Sequence, residues 1–71
     1  MKTISIISPC WNEADNVEAC QAAVKALFEA GGPLSAYRRE HIFSDNASTD
    51  GTVELLRAMA AADPDVKVIL N

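Results

Sequence analysis

Ser44-Asp45-Asn46-Ala47-Ser48-Thr49-Asp50-Gly51-Thr52 is the stretch on which the reading of this chain turns. An apolar run with β-branched character, ending in Ile42-Phe43, leads into it. A helical pattern (Val53, Leu56, Met59, Ala60, with Leu55 beside it) leaves it. The stretch is therefore a turn between a buried strand and a helix. It holds two carboxylates, several hydroxyl and amide side chains and a glycine, with no apolar residue larger than alanine. In open α/β sheets, ligands bind in the crevice beyond the carboxyl ends of the strands. A polar turn of this composition is the place to expect a nucleotide or a sugar.

Upstream of the turn, Thr3-Ile4-Ser5-Ile6-Ile7-Ser8 is short and β-branched, the pattern of a buried strand that Pro9 ends. Asp15 offers a helix cap with Glu18 three residues on, an acidic form of the capping box. Val17, Cys20, Val24, Leu27 and Phe28 then recur at helical spacing, and Glu29-Ala30-Gly31-Gly32-Pro33 supplies the stop. Leu34 to Arg39 reads as a connector, in which the pair Arg38-Arg39 is a solvated feature. Glu40 to Ser44 is the second strand. Downstream of the turn, Asp63-Pro64-Asp65 closes the second helix, and Val66 to Leu70 is a third strand.

The order is β-α-β-α-β. Right-handed crossovers make this a parallel sheet with strand order 3-2-1, and place both helices on one face. All-parallel sheets need both faces covered. Here one face stays bare, and the first strand lacks a neighbour on its free side. Residues 1–71 thus read as one incomplete domain, the first half of a doubly wound one.

Composition narrows the function. A chain of 71 residues, 49% hydrophobic, is globular but marginal on its own. A net charge of −4 argues against phosphate neutralisation, and so against nucleic acid as a partner, and against a basic membrane patch. Two cysteines, Cys10 and Cys20, and a lone histidine, His41, make no convincing zinc site. The better reading is a pair of buried free thiols in a reducing, cytoplasmic setting. The N-terminus enters a strand at once, without the pattern of a signal peptide. No apolar run approaches the roughly 18 residues of a membrane span.

Two strand ends carry polar chemistry. The first bears Pro9-Cys10-Trp11-Asn12-Glu13, the second Asp45 and its turn. Neighbouring strands bring Glu13 and Asp45 to one crevice, where a carboxylate accepts from base or ribose donors and Trp11 packs on a ring. The N–H groups near Ser48 to Thr52, at the start of the second helix, suit an anion. Each has a plainer reading too. Trp11 caps the core, Glu13 and Asp50 complement helix N-termini, and Asp45 and Ser48 organise the turn through backbone N–H groups. His41 reads as a structural or surface histidine rather than a catalyst. Asn46 to Gly51 has the spacing of half a calcium loop, but its twelfth position is Arg57, not the glutamate such a loop needs. Neither a G-x-G-x-x-G nor a P-loop motif is present. A receiver-like half-domain is disfavoured because Pro9-Cys10-Trp11 stands where its acidic pair belongs.

Both strand-end motifs resemble those of family 2 glycosyltransferases. Pro9-Cys10-Trp11-Asn12-Glu13 matches a P-x-[YW]-N-E pattern, and Asp45 to Thr52 matches a D-N-A-S-T-D-G-T pattern. The resemblance covers essentially the whole chain and is nearest to the polyprenyl-phosphate sugar transferases, a group similar to dolichyl-phosphate mannosyltransferase. It implies a Rossmann-like GT-A nucleotide-binding fold and a UDP- or GDP-sugar donor. It further implies that Pro9, Trp11, Glu13 and Phe43 line the nucleoside pocket and that Asp45 bonds the base. It implies Mg²⁺ or Mn²⁺ in the intact enzyme, with metal ligands and catalytic groups outside this segment. A lipid-phosphate acceptor at the cytoplasmic face of a membrane follows from the same likeness. The other reading is a non-catalytic interaction module that self-associates through the free edge of its first strand and its bare face.

Overall fold

The computed structural model describes residues 1–71. Its elements are β1 (Thr3–Cys10), α1 (Val17–Phe28), β2 (Arg38–Asp45), α2 (Thr52–Ala62) and β3 (Val66–Leu70). They form one three-stranded sheet in the order β1-β2-β3. Both strand pairs are parallel, with Cys10 beside Asp45 and Asp45 beside Leu70 at the carboxyl end. This is the expected α/β order with β2 in the centre.

Alternation in β2 sorts the sheet faces. Arg39, His41, Phe43 and Asp45 are buried on the side of the helices. Phe43 and Leu56 are fully covered and form the core with Cys10, Val17 and Val66, against which Cys20, Leu55, Met59, Ala60 and Val68 pack. Burying a Phe or Leu side chain is worth about 1.5–3 kcal/mol. Only 9 of 71 residues are buried, so few such contributions exist and each matters. On the opposite face nothing covers the sheet: Ile7 is 65% exposed and Ile69 51%.

Three boundaries and the burial of Arg39 and Leu27 differ from the sequence reading. β1 does not end at Pro9, which keeps its register opposite Ser44. β1 is an edge strand, where proline's missing N–H is tolerated. Asp15 does not cap α1. The cap residue is Asn16, whose side chain makes no capping bond. Instead the Glu13 carbonyl accepts from the N–H groups of Asn16 and Val17, at 2.9 and 3.0 Å. The helix entry is thus set by the loop before it.

β2 starts at Arg38 rather than Glu40, and Arg39 is no solvated residue. Alternation turns Arg39 onto the helix face, where its Nη2 donates to Asp63 Oδ2 at 2.5 Å. Leu27, finally, lies at the margin of the α1 stripe and is exposed.

His41 is fully buried. Its ring lies 4.1 Å from that of Phe43, and its Nε2 is 2.9 Å from Ser8 Oγ. Burial, and then the nearby Arg39 charge, hold its pKa below the ordinary histidine value. It is a neutral core residue, as the sequence suggests. Cys10 and Cys20 are free thiols, but only Cys10 is buried; Cys20 is half-buried at the edge of the core. Burial first, then the charges of Asp45, Cys20 and Glu13, push the Cys10 thiol up, which keeps it protonated and unreactive near neutral pH. No helix is long and apolar enough to cross a membrane.

Candidate functional site

Because Cys10 and Asp45 are register partners, the loops that leave β1 and β2 run side by side. The Asn46 N–H bonds the Cys10 carbonyl at 2.9 Å and extends the pairing one step past the sheet. Asn71 fastens the turn from the other side. Its N–H bonds the Asp45 carbonyl at 2.9 Å, and its side-chain amide donates to Ser44 Oγ and Asn46 Oδ1 at 3.0 and 2.9 Å.

Beyond this point the two loops are joined by side chains. Ser48 Oγ donates to Asp45 Oδ1 at 2.6 Å and accepts the Asn12 N–H at 2.9 Å. Thr52 Oγ1 donates to Asp50 Oδ1 and accepts the Glu13 N–H at 3.0 Å. Asp50 Oδ2 accepts the Ala14 N–H at 3.2 Å. In return, Asn12 Oδ1 accepts the Thr49 N–H at 2.8 Å. The Thr52 hydroxyl is the main reason that the Asp50 pKa lies below the usual carboxylate value.

The backbone bends to allow this. Asn12 and Ala47 have φ of +50° and +58°, and Gly51 has +95°. The left-handed region is familiar for Asn and free for Gly, but costs a residue such as Ala about 1–2 kcal/mol. Strain of this kind persists only where the surroundings over-determine the conformation. Here the Asp45 carboxylate, which also accepts the Ser48 N–H at 2.9 Å, holds both sides of Ala47.

The predicted site residues fall into two groups. Trp11 stands out from its loop, 64% exposed, and does not cap the core. Pro9 and Glu13 line a cavity of about 90 Å³ together with Phe43 and both thiols. That volume is well below the roughly 300–1,000 Å³ of a small-molecule site, so these residues form a wall. Phe43 was expected among the pocket residues. At 0% exposure it backs that wall from the core and presents no surface of its own. Asp45 is 1% exposed, and each of its oxygens already receives a bond from Ser48. A carboxylate has about four acceptor positions, so lone pairs remain.

The anion expectation for Ser48 to Thr52 loses three of its five N–H donors. The N–H groups of Ser48, Thr49 and Thr52 are taken by Asp45, Asn12 and Asp50. No group of three or more His, Cys, Asp and Glu side chains converges to hold a metal. The largest hollow, about 600 Å³, lies elsewhere, between α1 and α2 beside Arg39 and Asp63. It is an open groove whose unbonded donors, Arg39 Nη1 and the Lys25 amine, lie among the carboxylates of Glu18, Asp63 and Asp65.

The sequence matches glycosyl transferase family 2 over residues 5–71, nearly its whole length. The chain belongs to glycosyl transferase family 2. This family 2 segment is 34% identical over 68 residues to glycosyltransferase AglE of Haloferax volcanii, covering 96% of the segment and 21% of that protein. It is 38% identical over 66 residues to the succinoglycan biosynthesis protein ExoA of Rhizobium meliloti, covering 93% and 18%. The segment therefore spans about a fifth of the length of these relatives. No solved structure matches it significantly.

Sequence reasoning missed Asn12 and Asn71 as fasteners and Asp50 and Thr52 as links between the loops. The signal for the last two was present. Asp-x-x-Ser and Asp-x-Thr are local patterns in which a carboxylate organises a hydroxyl and a backbone N–H nearby.

Proposed function

We propose that this chain is the nucleoside-binding segment of an enzyme that transfers a sugar from a UDP- or GDP-sugar to an acceptor. The observation that carries the reading is the union of both strand-end motifs into one bonded unit, with the exposed Trp11 on it. Trp11 packs on the nucleoside, Pro9 and Glu13 line its edge, and Asp45 accepts from the base through a lone pair that Ser48 leaves free. Phe43 supports them from behind. The acceptor is a polyprenyl phosphate at the cytoplasmic face of a membrane, in the making of a cell-wall or lipid-linked sugar.

Metal-assisted transfer places a divalent cation, Mg²⁺ or Mn²⁺, at the leaving diphosphate. The residues here do not fit that role, because no three His, Cys, Asp or Glu side chains converge on one point. Metal ligands and catalytic groups are assigned to sequence outside this segment, which by itself transfers nothing. An assay of the isolated chain with donor and acceptor is expected to show background turnover only.

Calorimetric titration with UDP and GDP tests the binding claim. One nucleotide binds saturably, and Asp45→Ala abolishes the binding. A folded chain that binds neither contradicts the reading. A second reading, self-association, is favoured by Ile7 and Ile69 on the uncovered face and by the unpaired edge of β1. Sedimentation reads it: dimers that form with rising concentration support it, and a monomer throughout removes it.

A further inference from the structure

We infer that the hydroxyls of Ser48 and Thr52 are positioning groups of the donor pocket, each accepting one main-chain N–H of the Trp11 loop while donating its own hydrogen bond to an aspartate of its own turn. This rests on the donor reading above.

The two hydroxyls make the same three-part arrangement. Asp45, Ser48 and the Asn12 N–H form one; Asp50, Thr52 and the Glu13 N–H form the other. A hydroxyl has a single proton, whereas an ionised carboxylate only accepts. Each aspartate therefore accepts the hydroxyl's hydrogen bond, which leaves a lone pair of the hydroxyl oxygen turned toward the opposite loop. The direction of both bonds is fixed, so the locked N–H groups cannot be served by a rotated hydroxyl.

Asn12 and Glu13 directly follow Trp11, so the two locks set where the exposed indole stands. Asn12 also holds a positive φ, a conformation open to asparagine that the lock fixes in place. Thr52 is fully buried and Ser48 half-buried, so one lock is anchored in the core and the other lies close to the surface. The pocket wall is thus rigid before any ligand arrives, which lowers the ordering cost of binding.

Trp11 is the sole tryptophan and reports on the loop directly. The experiment compares the unaltered chain with Ser48→Ala, Thr52→Val, the conservative Ser48→Thr and Thr52→Ser, and Asp63→Asn as a distant destabilising control. Three readouts are taken: amide exchange at Asn12 and Glu13, Trp11 fluorescence anisotropy, and the dissociation constants of UDP and GDP. Ser48→Ala is expected to speed exchange at Asn12 about five- to tenfold, and Thr52→Val to do so at Glu13, the size of one lost hydrogen bond. Both lower the anisotropy and weaken nucleotide binding by a similar factor. The conservative variants restore all three readouts, while Asp63→Asn lowers the melting temperature and leaves them unchanged.

Should Thr52→Val fail to fold, Ser48→Ala and Thr52→Ser carry the test. Unchanged exchange and affinity in Ser48→Ala overturn the inference while leaving the donor reading intact. An unaltered chain that binds neither nucleotide overturns both, and the exchange data then show a purely structural lock.

Discussion

The two ends of β2 each bury a charged side chain on the same face of the sheet, and they pair it in different ways. At the amino end, Arg39 is met by Asp63, which is remote in sequence and also accepts from Gln21 and from the Asp65 N–H. At the carboxyl end, Asp45 is met by Ser48, three residues on, and the bonding continues into the neighbouring loop. One arrangement closes the tail of α2 onto the sheet. The other builds a bonded surface and leaves Trp11 standing on it. The first arrangement serves stability, and the proposed ligand chemistry lies at the second.

The largest expected effect would break the amino end alone. Asp63→Ala leaves Arg39 as an unpaired buried charge, at a cost of about 3–5 kcal/mol in urea denaturation. Arg39→Met should cost less, because the Asp63 carboxylate it leaves is more exposed and keeps the bonds from Gln21 and the Asp65 N–H. Neither changes nucleotide affinity if the two ends are separable.

Next in size is Trp11→Ala. Losing an aromatic stacking surface costs about 1–3 kcal/mol of binding, measured by titration, with little change in melting temperature because the side chain is already exposed.

A smaller effect is expected with pH. The folded-state pKa of His41 lies below its unfolded value, so protonation favours the unfolded chain. Melting temperature should therefore fall as pH drops below about 6.5, and His41→Gln should remove this first decline. A second decline follows below about pH 4, shared by Asp63 and Asp50. Burial opposes ionisation of Asp63, but the bonds from Arg39 and Asp65 and the charges of Arg39 and Lys25 outweigh it. The stability that both carboxylates contribute is present above their unfolded pKa and lost as pH falls through the lower folded one.

The smallest effect lies on neither end. Ser5 Oγ donates to Glu40 Oε1 on the uncovered face, and Glu40→Gln should change stability by no more than about 0.5 kcal/mol.

The element order and the core stripes were legible because hydrophobic period is a local signal. Val66 to Leu70 appears where the pattern puts it, as do the stops at Glu29 and Asp63. Arg39 was misread because its partner is 24 residues away, beyond any local pattern. The same holds for Asn12 and Asn71, whose partners lie in another loop. Pro9 as an edge-strand residue depends on β1 lacking an outer neighbour, a property of the sheet rather than of the sequence window. In the site, residue types were visible but their duties were not. Ser48 to Thr52 read as the start of a helix, and only the register of β1 on β2 brings them to the backbone of Asn12, Glu13 and Ala14.

The most direct test of the account is to map UDP and GDP onto the chain by amide chemical shifts. The account predicts that one nucleotide shifts the amides of Cys10 to Glu13 and Asp45 to Ser48 and the Trp11 indole, while those of Arg39 and Asp63 stay in place. Shifts centred on the groove beside Arg39 and Asp63, or none with either nucleotide, would contradict it.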